Sequence, residues 1–425
     1  MQMQGYGFYN GKRIDFELPE GWNLMAISEP KEAQPLEDLA SAVVKAVENP
    51  IGCPPLSEMV KGLGKGKVAI LSEDQTRPTR TGLVILPLLE HLNELGVSDD
   101  QVEIIIALGT HRKTKEEELR DKLGEEILKR VKVSLHDPDD PNGLVFMGTT
   151  SRGTPCWINK TFAEAGLKLG VGTINPHYFA GYSGGPKIIL PGVSGRETIR
   201  RNHVLIRHEG TVQGRREGNI LWEDMLETAR IAGINMKIDV LLNTNQEIHR
   251  LYAGDVAEAQ KEAIDGFLKI YGVPVPSPAD VTITSSYPLE IDLIQSGKAI
   301  LLADLVTKPG GTILVLSACR DGAGPLMYET LSQRPSPEQV VDWIAEGKAS
   351  PTGGPMASRL RRLLQTKNLY LVTEGLTPQQ LADMEMGWFP GIREALDGLR
   401  DKYPKANVLV LPVGGASFPY LAKAA

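Results

Sequence analysis

Cysteine is scarce: three residues in 425, at Cys53, Cys156 and Cys319. Their wide separation excludes a disulfide framework and a zinc-type cysteine cluster. No apolar run approaches the ~20 residues needed to cross a bilayer. The opening stretch, MQMQGYGFYNGKR, lacks the apolar core of a secretory signal. Positive charge is in deficit, 46 Lys and Arg against 53 Asp and Glu for a net −7, which argues against a mainly nucleic-acid-binding protein. There is no repeat of fixed period and no low-complexity tract. What is present, 41% hydrophobic and 23% charged residues, is the balance of a globular protein. At about 100–200 residues per domain, the length predicts two or three domains. The expectation is a cytoplasmic protein of metabolic type.

The pattern along the chain gives the fold class. A hairpin is expected over residues 6–16, turning at Asn10-Gly11, then a helix near 35–48. Apolar strands over 68–71, 102–107 and 167–173 alternate with helical periodicity, as in Leu83, Ile85, Leu86, Leu89 and Leu92 of the segment 82–95. Residues 113–129 read as one helix, and 144–159 and 236–252 as hairpins. The stretch 271–279, with three prolines, reads as a linker. Beyond it, strands over 281–284, 312–317, 369–372 and 407–412 alternate with helices over 294–306, 337–346 and 377–381. The prediction is an α/β protein: two α/β domains with mainly parallel sheets, residues 1–272 and 273–425, and an active-site cleft between them.

Polar residues stand where the strands end, which is where open parallel sheets bind ligands. Of seven histidines, His91, His136 and His249 read as structural or surface residues. His111 follows a buried strand and Gly109-Thr110, a loop stiff enough to hold a base. The densest segment runs from Asn175 to His203. His177 follows a strand directly, and Ser183-Gly184-Gly185 is a turn whose N–H groups can approach an anion. Lys187 beside it suits a phosphate partner or, desolvated, a nucleophile. Residues 197–208 read as a helix presenting His203; a solvated helix carrying Arg200, Arg201 and Arg207 is the plainer alternative.

Arg77, stiffened by Pro78, has the geometry for a carboxylate or phosphate, unless it simply pairs with Asp74. Gln295-Ser296-Gly297-Lys298 opens a helix, either an anion-binding N-terminus or an ordinary helix start. His111, His177 and His203 together would also suit a zinc site that activates water for hydrolysis. A nucleotide- or metal-binding protein without catalysis is a third reading.

Taken together, Asp74-Gln-Thr-Arg-Pro, Gly109-Thr-His-Arg, His177-Tyr-Phe-Ala-Gly-Tyr-Ser-Gly-Gly-Pro-Lys187, Asn202-His203 and Gln295-Ser-Gly-Lys298 resemble the nickel-dependent lactate racemase family over nearly the whole chain. The resemblance implies a racemase or epimerase of 2-hydroxy acids, with a first domain that binds cofactor and a second that adds substrate contacts. It implies a nickel-pincer nucleotide, covalently attached through Lys187 and supplied by separate biosynthetic enzymes, with His203 as the nickel ligand. His111 and His177 would be paired acid–bases. Arg77 and Lys298, with Gln295 and Ser296, would meet the substrate. Asp74, Thr76, Ser183, Gly184 and Gly185 would meet the cofactor's ribose and phosphate. The sequence departs from the family's lactate enzymes at Ile294, where tyrosine is common, and at Trp222, where a small polar residue or histidine is expected. Gly353-Gly354-Pro355-Met356 occupies the region of a substrate-side tryptophan. These departures imply a 2-hydroxy acid other than lactate as an open possibility.

Overall fold

The computed structural model describes residues 4–350 and 353–421. The chain divides into two compact units, Glu32–Phe267 and a second built from Met1–Lys31 with Leu268–Ala425.

In the unit 32–267, six strands lie in the order Ile248–Gly254, Met236–Leu242, Leu167–Thr173, Val68–Glu73, Val102–Ala107, Lys132–Leu135. All neighbours are parallel except the first pair, an antiparallel hairpin at the edge. The central strand Val68–Glu73 is buried at every position, as expected when helices cover both faces of a parallel sheet. Side chains alternate between the faces. Val68 and Ile70 join Ile104, Ile106, Leu169 and Val171 under the helices Leu39–Glu48 and Gly82–Glu94. Ala69 and Leu71 join Ile105, Ile188 and Ile189 on the other side, under the helix Ile220–Ala232. The helix expected over 113–129 is two, Glu116–Leu123 and Glu125–Arg130, because Gly124 between them has φ +83°. The helix expected over 197–208 is α-helical only for Arg196–His203 and tightens to a 3-10 turn at Val204–Arg207.

The second unit holds a six-stranded, all-parallel sheet in the order Gly387–Phe389, Asn368–Val372, Thr307–Leu316, Ala279–Ser285, Ala406–Leu411, Trp22–Ile27. The last strand comes from the start of the chain, so residues 4–31 belong here and not to the first unit. The division falls after Phe267, inside the helix Glu258–Tyr271, rather than after residue 272. Nor is 271–279 a plain linker. Gly272–Val275 is a short strand parallel to Phe418–Leu421, its one proline, Pro274, tolerated on a two-stranded ribbon with free edges. The opening hairpin is as expected, Gln4–Tyr9 with Lys12–Glu17, turning at Asn10 (φ +51°) and Gly11 (φ +70°). No described helix is long and apolar enough to cross a membrane.

Candidate active site

Three adjacent strands of the unit 32–267 end side by side, and their following loops carry the candidate residues. Glu73 pairs with Ala107, and Ser72 with Val171, at the ~4.8 Å spacing of neighbouring strands. Asp74 therefore begins one loop, Leu108–His111 the next, and Asn175–His177 the third. In the second loop Gly109 has φ +55°, its N–H donates to the Gly192 carbonyl, and the His111 N–H donates to Leu108. That tight turn delivers His111 to Asp74: Nδ1 lies 2.5 Å from Asp74 Oδ2. Asp74 Oδ1 accepts the backbone N–H and hydroxyl of Thr76. Burial alone would raise the Asp74 pKa, but His111 and Thr76 together hold it below the usual carboxylate range. Asp74 is thus ionised, and the shared proton belongs to His111 Nδ1.

Arg77 does not take the Asp74 partnership. It makes no ion pair among the described residues, and its backbone is held from below by buried Lys122, whose Nζ donates to the carbonyls of Arg77 and Thr79 at 2.8 and 2.7 Å. Its guanidinium remains available for an anion.

The third loop folds back as a two-residue ribbon, Pro176–His177 against Gly181–Tyr182. Gly181 has φ +77°, and a Cβ there would lie 2.0 Å from the Arg215 carbonyl oxygen. The ribbon stacks His177 on Tyr178 (4.7 Å, 16°) and sets it edge-on to Phe179 (4.4 Å, 80°). The Ala180 N–H donates to His177 Nδ1 at 3.3 Å. Phe179, 4% exposed, also meets His203 at 5.2 Å and Lys187 Nζ at 5.5 Å from its centroid. One ring thus touches three of the candidate residues.

Lys187 is pushed down to about 7, first by burial and then by the Arg77 charge, with Asp74 opposing. An amine of this kind is neutral, and so nucleophilic, in about half of the molecules near pH 7. His203 is pushed down to about 4 by burial and then by Lys187. Its Nδ1 is buried and, among the described residues, without a hydrogen bond of good geometry, the Ile199 carbonyl one turn back being the smallest influence and an opposing one. A neutral imidazole with an unpartnered buried nitrogen is what a metal ligand requires. Among the described residues no group of three or more His, Cys, Asp or Glu is placed to hold a metal ion. The alternative zinc site of His111, His177 and His203 is therefore absent from them.

Family-model comparison matches residues 9–214 to the lactate racemase N-terminal domain and 275–418 to the lactate racemase C-terminal domain. The lactate racemase of Lactiplantibacillus plantarum is 31% identical over 88% of this chain and 89% of its own length. The chain belongs to the lactate racemase family. That membership makes it an isomerase. The lactate racemase of Thermoanaerobacterium thermosaccharolyticum is 30% identical over 94% of this chain and 96% of its own. The apoprotein structure of a lactate racemase from that organism superposes with a TM-score of 0.85 at 28% identity, covering 98% of this chain and all of its own. A Thermotoga maritima protein at 18% identity, TM-score 0.64, shares the fold.

Within this family member, some expected contacts turn inward. Ser183 donates its hydroxyl to the Thr173 carbonyl, accepts the Asn175 N–H on it, and gives its own N–H to the Asn175 carbonyl. The Gly185 N–H donates to Asp239. Ser183 and Gly185 therefore brace the turn before Lys187 instead of offering these groups to an anion. In the other unit Ser296 is fully buried, with its hydroxyl 2.7 Å from Ser317 Oγ, so that hydroxyl is engaged within its own unit. Gln295 and Lys298 are only partly buried, and Lys298 Nζ donates to Gln295 Oε1 at 2.6 Å. Ile294 lies against Gly324 and Gly353, where an added Cβ would sit 2.7 and 3.0 Å from its Cδ1.

The sequence reading missed several supporting residues. Phe179 carries no chemical group that the sequence alone would single out. Asp224 accepts from Thr150, Thr154 and Asn202, fastening the end of the helix that bears His203. Trp222 is buried, its Nε1 donating to Gln260 Oε1. Lys237 and Asp239 form a fully buried ion pair. That pair had a readable signal: two opposite charges, two residues apart, in the otherwise apolar strand Met236–Leu242.

Proposed function

We propose that this member of the lactate racemase family racemises or epimerises a 2-hydroxy acid, lactate or a relative of it, with His111 and His177 exchanging acid and base roles. One observation carries the reading: the hydrogen bonds of the two imidazoles set opposite tautomers. His111 gives its Nδ1 proton to ionised Asp74, so in the neutral ring Nε2 is the acceptor. His177 Nδ1 accepts the Ala180 N–H, so its neutral ring carries the proton on Nε2. His111 is set to take a proton at Nε2. His177 gives one from Nε2 once a second proton on Nδ1, displacing the Ala180 N–H, makes it imidazolium, and the reaction in the opposite stereochemical sense exchanges the roles.

The proton that such a base can reach is the hydroxyl proton, because a 2-hydroxy acid holds its α-proton too tightly for imidazole. Arg77 and Lys298, with Gln295, are the polar groups assigned to the substrate carboxylate and oxygen. The group assigned to the site is the nickel-pincer nucleotide, which when bound supplies the hydride acceptor and donor. Lys187 is assigned its covalent attachment, and His203 the nickel. Of the residues assigned to its ribose and phosphate, Thr76 is exposed. Asp74, Ser183, Gly184 and Gly185 serve chiefly to hold His111 and Lys187 in place. Separate biosynthetic enzymes would supply the nucleotide. Three free thiols, Cys53, Cys156 and Cys319, suit a reducing cytoplasm.

The test is a panel of enantiopure 2-hydroxy acids (lactate, malate, phenyllactate, sugar acids) with cofactor-loaded protein, followed by circular dichroism. Loss of optical activity for one of them is expected. Tight cofactor binding with every substrate left enantiopure would favour a non-catalytic binding protein instead.

A further inference from the structure

Beneath the turn that precedes Lys187 lies a charged pair that the reaction does not use. Lys237 and Asp239 are both fully buried, with Lys237 Nζ 2.6 Å from Asp239 Oδ1 and 2.8 Å from the Ile238 carbonyl. Asp239 accepts the Gly185 N–H on both oxygens, at 3.0 and 3.3 Å. Gln260 braces the same turn, donating to the Ser183 carbonyl at 3.0 Å. The fit is close: a Cβ on Gly184 would lie 2.6 Å from Asp239 Oδ1, and one on Gly185 2.4 Å from Gln260 Cδ. The two glycines, with φ +68° and +47°, are therefore needed for what lies under the turn. The Lys187 N–H then closes the turn on the Gly184 carbonyl at 3.1 Å.

A buried ion pair is poor value as a stabiliser, since apolar residues of similar volume serve as well or better. Its persistence under this turn asks for another reason. Gly172 gives the pair a route towards the opposite loop, because a Cβ there would press on Lys237 Nζ at 3.2 Å and on Glu73 Oε2 at 3.1 Å. Glu73 accepts the Thr173 N–H and precedes Asp74.

We infer that the Lys237–Asp239 pair is a positioning element for Lys187: its carboxylate fixes the Gly184–Gly185 turn from beneath and so sets where the amine stands. Burial pushes the Asp239 pKa up and Lys237 opposes it, while the contact with Lys237 Nζ holds the side chain aimed at the Gly185 N–H. The inference rests on the reading of Lys187 as the cofactor's anchor, but it concerns the amine in protein that has never met the cofactor.

The experiment compares two full-length double variants, both of which remove the buried charges. Lys237→Met/Asp239→Asn keeps an acceptor for the Gly185 N–H, and Lys237→Met/Asp239→Leu does not. Amide exchange at Gly185 is measured, with acylation of Lys187 by a small N-hydroxysuccinimide ester relative to exposed Lys129, and the unfolding midpoint. The asparagine pair is expected to match the parent within about twofold on both readouts. The leucine pair is expected to lose Gly185 protection by about tenfold. Its Lys187 acylation should fall by about fivefold or more as the amine leaves its desolvated seat. Equal Gly185 and Lys187 behaviour in the two variants, whatever their midpoints, overturns the inference. Should the leucine pair fail to fold, Lys237→Met/Asp239→Ser, whose shorter side chain cannot reach Gly185, decides in the same way. A parent chain that bound no nickel and racemised nothing would sink the proposed function and leave this comparison standing.

Discussion

His111 Nδ1 stands 2.5 Å from Asp74 Oδ2, on a carboxylate that is only 4% exposed. Burial works against the charge on Asp74, and the hydrogen bonds from His111 and Thr76 restore it. The relationship leaves Nε2 of the neutral imidazole as an acceptor, and on the proposed function that nitrogen is the base.

Asp74→Asn keeps the shape of this contact and removes its charge. An amide can present an N–H to Nδ1 and turn the ring to the wrong tautomer. Turnover should fall on the order of 10²-fold, and His111→Ala or His177→Ala should fall at least as far. Nickel content and cofactor mass should stay unchanged in all three. Parallel metal analysis and initial rates check this, and a single histidine variant working at the parental rate contradicts the two-base assignment.

The two anchors should separate cleanly. Lys187→Ala removes the amine of this loop, so no adduct mass should survive denaturation. His203→Ala should lose nickel while the adduct on Lys187 remains. Intact-protein mass spectrometry with metal analysis reads both.

The Lys187 amine should titrate near about 7 against an ordinary 10.5, so its acylation in cofactor-free protein should rise through neutrality. The same shift bears on stability. Between about 7 and 10.5 the unfolded chain binds the proton that the folded chain has lost, so stability gains with pH across that window. Lys187→Met should flatten this slope. Urea unfolding at pH 7 and 9 gives the comparison, and an equal slope in the variant counts against the buried amine.

Phe179 joins His177, His203 and Lys187 through one ring. Phe179→Ala should destabilise by about 3–5 kcal/mol. Phe179→Leu, which keeps most of the volume, should cost about 1.5 kcal/mol or less yet still lower turnover, because leucine has no edge to seat two imidazoles. Denaturant midpoints set beside kcat separate packing from alignment.

The sequence made the strand ends legible, because buried β-branched runs such as Val102–Ala107 announce themselves and the polar residues after them must lie at one edge of a parallel sheet. His111 and His177 stand out for that reason, and Lys187 because it directly follows the Gly184-Gly185 turn. What it hid were the partnerships. Whether Asp74 would meet Arg77 or His111 depends on how two loops fold over neighbouring strands, and local spacing could offer only Arg77 as a partner. The Ser183–Gly185 turn looked like an anion cradle because glycines report close approach without saying from which side. Here Asp239 and Gln260 approach from within. The domain boundary failed for a similar reason. Trp22–Ile27 is a strand whose partner, Ala406–Leu411, lies nearly four hundred residues away, a pairing no local pattern contains.

The most direct trial of the two-histidine, hydride-returning account uses the best substrate from the panel, enantiopure and deuterated at its α-carbon, with cofactor-loaded protein in ordinary water. If the histidines handle only the hydroxyl proton, the inverted product keeps its deuterium. If inversion comes with deuterium washed out to solvent, the α-proton itself is being abstracted, and the account is wrong.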